Sequence, residues 1–226
     1  MTVDQLQWSP DGAWSGQVQA GSRPAQLLLV FGATERLEDP ALAAALAHRF
    51  PGAVRFGCST AGEIVGTGAT DAGVAVTALG FDASTVRLAT TPIADLEDSR
   101  AAGRRLMEQL AADGLAHVLT LCDGLSVNGS QLAEGLASAA PDGVAITGGL
   151  AGDGTAFGHA VVMAGATVAS GLAAAVGLYG AGLRVACASL GGWDPFGPER
   201  LITRSRGHVL YELDGQSALG LHALSR

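Results

Sequence analysis

The chain has 226 residues, 48% of them hydrophobic, enough to bury a large core in one domain or two closely packed halves. Its 13 Lys and Arg stand against 21 Asp and Glu, a net charge of −8 with no basic cluster, which argues against nucleic acid or another polyanion as partner. Three cysteines without C-x-x-C spacing exclude a disulfide framework and a zinc ribbon, and residues 1–7 lack the pattern of a signal peptide, so the cytoplasm is the expected location.

Residues 1–24 carry turn signals such as Ser9-Pro10-Asp11-Gly12 and predict an N-terminal arm pinned by Trp8 and Trp14. Residues 27–31 are a continuous apolar run, as in a strand covered on both faces. Asp39-Pro40 supplies an N-cap and first-turn proline for a helix reaching about His48. A strand over 54–56 then delivers Gly57-Cys58-Ser59-Thr60-Ala61-Gly62-Glu63 as a loop, and strands over 73–79 and 85–90 follow. Residues 95–112 predict a helix, with Leu96, Ala102, Leu106, Met107 and Leu110 as its apolar stripe.

The pattern then restarts. Residues 116–122 answer 25–31, a helix over 128–140 answers that over 40–48, and 144–146 lead into Gly148-Gly149-Leu150-Ala151-Gly152-Asp153. The two Ala-Gly pairs begin at Ala61 and Ala151, 90 apart, and the two strands at Ala25 and Ala116, 91 apart. Strands over 159–163, 172–179 and 183–189 finish the second copy. The expected fold is therefore an internally duplicated α/β mixed-sheet domain over 25–219, with pseudo-repeats over 25–92 and 116–190 about a pseudo-two-fold axis and a short end over 220–226. Residues 160–183 lack charge, but five glycines interrupt them, so they read as buried strands and not as a membrane helix. Beyond the repeats, Trp193 and Phe196 lie on a proline-stiffened loop able to cover a pocket, strands are expected over 201–203 and 208–210, and Asp214 is placed to cap a terminal helix.

Each Ala-Gly-acid segment follows an apolar run, and its small residues let backbone come close to a ligand. Gly57, Gly62, Gly148, Gly149 and Gly152 are the candidates for that approach, with Cys58, Ser59 and Thr60 as polar handles. Glu63 and Asp153 would meet an ammonium or polar group, or else accept backbone N–H groups and hold their own loops shut. The two loops would line one crevice if the halves pack about the pseudo-axis. Glu63 stands where a P-loop needs lysine, and its charge repels phosphate, which rejects nucleotide hydrolysis; Ala61 breaks the G-x-S-x-G elbow. Cys58 or Ser59 as the nucleophile of a hydrolase or transferase is the enzymatic alternative; a small buried residue is the bland one. His159 and His208 are the best placed metal or haem ligands, but no two histidines have metal-binding spacing.

Together with Gly192-Trp193-Asp194-Pro195-Phe196-Gly197-Pro198 and the segment Glu212-Leu213-Asp214-Gly215-Gln216-Ser217-Ala218-Leu219, the two Ala-Gly-acid segments resemble the amino-terminal part of the FIST sensory domain, from about Ala25 to Leu219. The resemblance implies a bacterial or archaeal intracellular input domain that binds small ligands such as amino acids and signals to a histidine kinase, cyclase or chemotaxis receptor. It also implies a haem-binding gas sensor as a variant, since some members bind haem. The carboxy-terminal FIST segment usual after Leu219 does not follow, so signalling output is expected on another chain or on a segment of which this sequence is a fragment. The resulting expectation is a non-enzymatic sensor without a resident cofactor or membrane span, with Trp193 joining the two loops at the site; an interaction module without a pocket is the further alternative.

Overall fold

The computed structural model describes residues 1–16, 18–19, 23–71, 73–188, 197–207 and 209–224. They fall into two compact units, Met1–Ala186 and Cys187–Arg226. The first begins with β1 (Thr2–Trp8), β2 (Trp14–Ser15), β3 (Leu27–Gly32), a one-turn helix α1 (Thr34–Leu37), α2 (Pro40–Arg49) and β4 (Val54–Ser59). The hairpin β5 (Glu63–Val65) and β6 (Gly68–Thr70) leads to β7 (Val74–Gly80) and β8 (Thr85–Pro92). A 3-10 turn at Leu96–Asp98, α3 (Ser99–Leu110), β9 (Leu115–Asp123), α4 (Gly129–Ala139) and β10 (Ala145–Ala151) follow. The hairpin β11 (Val162–Ala164) and β12 (Thr167–Ala169) and the long β13 (Leu172–Tyr179) end the unit.

These strands make two sheets, ordered β12-β11-β4-β3-β7-β1-β2 and β10-β9-β13-β8, with the hairpin β5-β6 apart. In both, a parallel pair joined through a helix (β3 with β4, β9 with β10) is followed by two antiparallel neighbours (β7 then β1, β13 then β8). Strand alternation sorts the side chains into layers. Leu27, Phe56 and Cys58 meet Leu121, Ala174 and Val176 between the sheets. On the outer faces, Leu28, Val30 and Val76 pack with Leu42 and Leu46 of α2, and Val118, Ala173 and Ala175 with Leu106 and Leu132 of α3 and α4. The order is helix, sheet, sheet, helix, a mixed α/β architecture. The helix starts follow local chemistry, since Asp39 accepts the Ala41 amide at 2.8 Å and Asn128 that of Gln131 at 3.2 Å.

Several elements differ from the sequence reading. Residues 2–8, assigned to an arm, form β1 and pair along β7; buried Asp4, which accepts the Gln19 amide, interrupts the alternation of Leu6 and Trp8. β4 runs on through Gly57, Cys58 and Ser59 because β11 pairs with it, Val162 opposite Cys58 and Met163 opposite Gly57, a long-range contact without a local signal. The strand expected over 183–189 does not form in residues 183–188, and α1, β5, β6 and β12 were not expected. Residues 160–183 contain β11, β12 and β13, and no described helix is long and apolar enough to cross a membrane.

The second unit holds β14 (Ile202–Arg206), β15 (Val209–Leu213) and β16 (Gln216–Ser217) as an antiparallel sheet, then α5 (Ala218–Leu224). Asp214 caps no helix: it takes φ 52° in the turn before Gly215, where its carboxylate accepts the Leu201 amide at 2.8 Å and pairs with Arg200. Trp193, Phe196 and His208 lie outside the described residues.

Candidate functional site

The parallel strands β3 and β4 end side by side, Gly32 opposite Ser59, and an open cleft of about 710 Å³ lies beyond their carboxyl ends. Chains leaving adjacent parallel strands diverge there and leave room for a ligand. The first half lines the cleft with Thr34, Glu35 and Glu38 around α1, with Thr60, Ala61 and Gly62 after β4, and with Asp71 after β6. The loop after β10 supplies Asp153, Gly158 and His159. Gly152 N donates to Ser59 O at 2.9 Å, which fixes the end of β10 against the end of β4.

Asp153 closes its own loop. Its carboxylate accepts the amides of Phe157, Gly158 and His159 at 3.0, 2.6 and 2.8 Å, and these bonds, that of His159 first, hold its pKa below the usual carboxylate value. The closed loop docks on α1 twice, where Thr34 Oγ1 donates to His159 O at 2.9 Å and His159 Nε2 meets Glu38 Oε1 at 2.8 Å.

Glu63, the first residue of β5, stands behind Thr60 and is only 3% exposed. Its Oε1 accepts from Thr60 Oγ1 at 2.6 Å, whereas Oε2 has no hydrogen-bond partner. Burial raises its pKa; the Thr60 bond opposes the rise, and the charges of Asp71 and Glu35, both cleft residues, add to it.

Of the residues read from the sequence, Thr60, Gly62 and Asp153 line the cleft, and Glu63 stands behind Thr60. Gly57, Cys58 and Ser59 belong to β4, which ends at Ser59, and do not line it. A Cβ on Gly57 would lie 1.7 Å from Val30 O, so glycine there serves the close approach of β4 to β3. Cys58 is buried, which pushes its thiol up to about 12 and makes it a poor nucleophile. Ser59 is fully buried and its Oγ accepts the Val161 amide at 2.9 Å. Gly148 and Gly149 lie in β10 beside a separate hollow of about 260 Å³ next to α4, and a Cβ on Gly148 would approach Thr120 O to 2.1 Å. Trp193 lies outside the described residues.

Glu35, Glu38, Thr34 and Asp71 were missed. Their signal is position, with Thr34 and Glu35 forming a polar step just after a buried strand, and His159, read from the sequence as a metal or haem ligand or, more commonly, a structural histidine, holds the loop to Glu38. Haem does not fit this cleft: His159 Nε2 is engaged by Glu38, and the lining offers small residues and the carboxylates of Glu35, Glu38, Asp71 and Asp153 in place of large apolar side chains. Among the described residues no three His, Cys, Asp or Glu converge as a metal site.

A family model described as the FIST N domain matches residues 26–216. The chain belongs to the FIST N domain family. FIST domains are small-ligand sensory domains, so a sensory role follows for this FIST chain. No curated protein matches it.

Proposed function

We propose that this FIST domain is a non-catalytic sensor whose small ligand binds in the cleft between α1, Thr60 and the loop after β10. The observation that carries the reading is the shared lining: residues of both halves of the first unit face one cleft at the strand ends, with Gly152 bonded to Ser59 beneath it. We read the matched strand orders as internal duplication, which makes this the junction between copies. The ligand carries an ammonium group, with amino acids in that class, and binding favours one seating of the loop on α1. A bacterial cytoplasmic partner such as a histidine kinase, cyclase or chemotaxis receptor would read the change. Burial of Cys58 and the structural bond of Ser59 weigh against the hydrolase or transferase alternative.

The test is a titration of the isotope-labelled chain with amines, amino acids and carboxylic acids, followed by amide chemical shifts. Shifts that saturate and cluster at Thr34, Thr60, Gly62 and Gly158 are the expected result. Saturating shifts confined to another surface, or none with any compound, would refute the cleft as the site. A ligand at about one hundred times its dissociation constant should also stabilise the fold by about 2.7 kcal/mol.

A further inference from the structure

The cleft has a sharper chemical character than its volume conveys. Among the described residues, Glu35, Glu38, Asp71 and Asp153 line it, and no lysine or arginine does. Its one imidazole, on His159, is engaged by Glu38. Thr34 and Thr60 line it too, and both have committed their hydroxyl hydrogens inward, Thr34 to His159 O and Thr60 to Glu63 Oε1. A hydroxyl whose hydrogen is so placed offers only lone pairs to an incoming group. The amides of Phe157, Gly158 and His159, which could otherwise have bound an anion, all donate to Asp153. Thr155 supplies the remaining hydroxyl.

Behind this surface stands Glu63, 3% exposed, with Oε2 lacking a hydrogen-bond partner. A buried carboxylate oxygen without a donor is costly, and this one belongs to the group that receives the hydrogen of cleft-lining Thr60. The missing complement is a donor with positive charge. An alkylammonium has three N–H donors and no acceptor. A carboxylate on the same molecule would instead meet Glu35, Glu38 and Asp71, with no lysine or arginine among the described lining residues to offset them.

We infer that the ligand is an organic amine without a carboxylate, held as its ammonium ion by Thr60 backed by Glu63, with Glu35 and Asp71 supplying the surrounding field. This rests on the cleft being the ligand site and narrows its ligand class, from amines including amino acids to amines without an acid group.

The experiment compares L-alaninamide and butylamine with L-alanine on the full chain at neutral pH, by calorimetry and by the amide shifts of Thr60 and Gly62. Alaninamide and alanine differ in whether a neutral amide or a carboxylate flanks the amine. The amide and butylamine should bind at least about tenfold more tightly than alanine, the ratio that a loss of about 1.4 kcal/mol produces. Glu63→Gln should weaken amine binding by about tenfold. The exposed pair Glu35→Gln and Asp71→Asn should weaken it as well, and does not depend on the folding of a variant at a buried site. Alanine binding in the cleft as tightly as its amide, or binding of the amines unchanged in both variants, would overturn the inference and leave the cleft as a ligand site. Cleft shifts produced only by neutral or acidic compounds would do the same. Silence of the cleft to every class would overturn both.

Discussion

At the scale of single residues, the two acids that follow Ala-Gly pairs do different work. Asp153 spends its charge on three backbone amides and so shapes the cleft wall. Glu63 receives a single hydroxyl and is left buried with an unpartnered oxygen. Its folded-state pKa is raised by burial above the ordinary glutamate value. Protonated Glu63 therefore favours the folded chain: its contribution is fully present below the unfolded-state value and is lost as pH rises through the raised folded-state value. Glu63→Gln removes that titration and retains an acceptor for Thr60. Melting temperatures across the acid to neutral range should show the variant gaining on the parent as pH climbs through this window, with a constant difference above it. A difference independent of pH would mean that Glu63 is not buried as a titrating acid. The sequence identified both acids because each follows Ala-Gly. It could not separate their roles, since the deciding partners are the amides of a loop whose path depends on α1.

Among the elements, helices with local signals were legible and strands shaped by distant partners were not. Asp39-Pro40 and Asn128 announce their helices through caps, and those caps form. The sequence pattern ends β4 at Phe56, because nothing in Gly57-Cys58-Ser59 signals that β11 will pair with it. The glycine there was consequently attributed to a ligand, whereas its role is a close strand approach: Gly57 stands opposite Val30 as Gly148 stands opposite Thr120. Gly57→Ala forces a methyl into the Val30 carbonyl and should cost at least about 1–3 kcal/mol in urea unfolding. Gly149→Ala, with no atom within 4 Å of the added Cβ, should stay within about 0.5 kcal/mol. Equal effects at the two positions would contradict the packing role. Acidic residues on α1 were missed for a related reason. A one-turn helix has too few residues for a periodic signal, and it is held by its contacts with the loop from the other half.

Across the first unit, the repeated strand order suggests two lobes, but the connections join them into one body. The hairpin β11-β12 comes from the second half of the unit and extends the sheet of the first, through β4. Phe56 and Cys58 share one apolar layer with Leu121, Ala174 and Val176, so neither sheet can cover its inner face alone. Removing either half would expose that layer, and removing the second would also leave the edge of β4 unpaired. The cleft follows the same logic, since its walls come from both halves and exist only when these are docked. Segment 1–186, which holds every cleft residue and the three apolar clusters, should therefore unfold in one cooperative transition and keep the amine affinity of the full chain. Segment 1–93 should show no cooperative transition. Circular dichroism during thermal unfolding distinguishes the cases: two separate transitions in 1–186, or a sharp one in 1–93, would mean that the halves fold independently. The shared layer would then be a docking surface and not the core of a single unit.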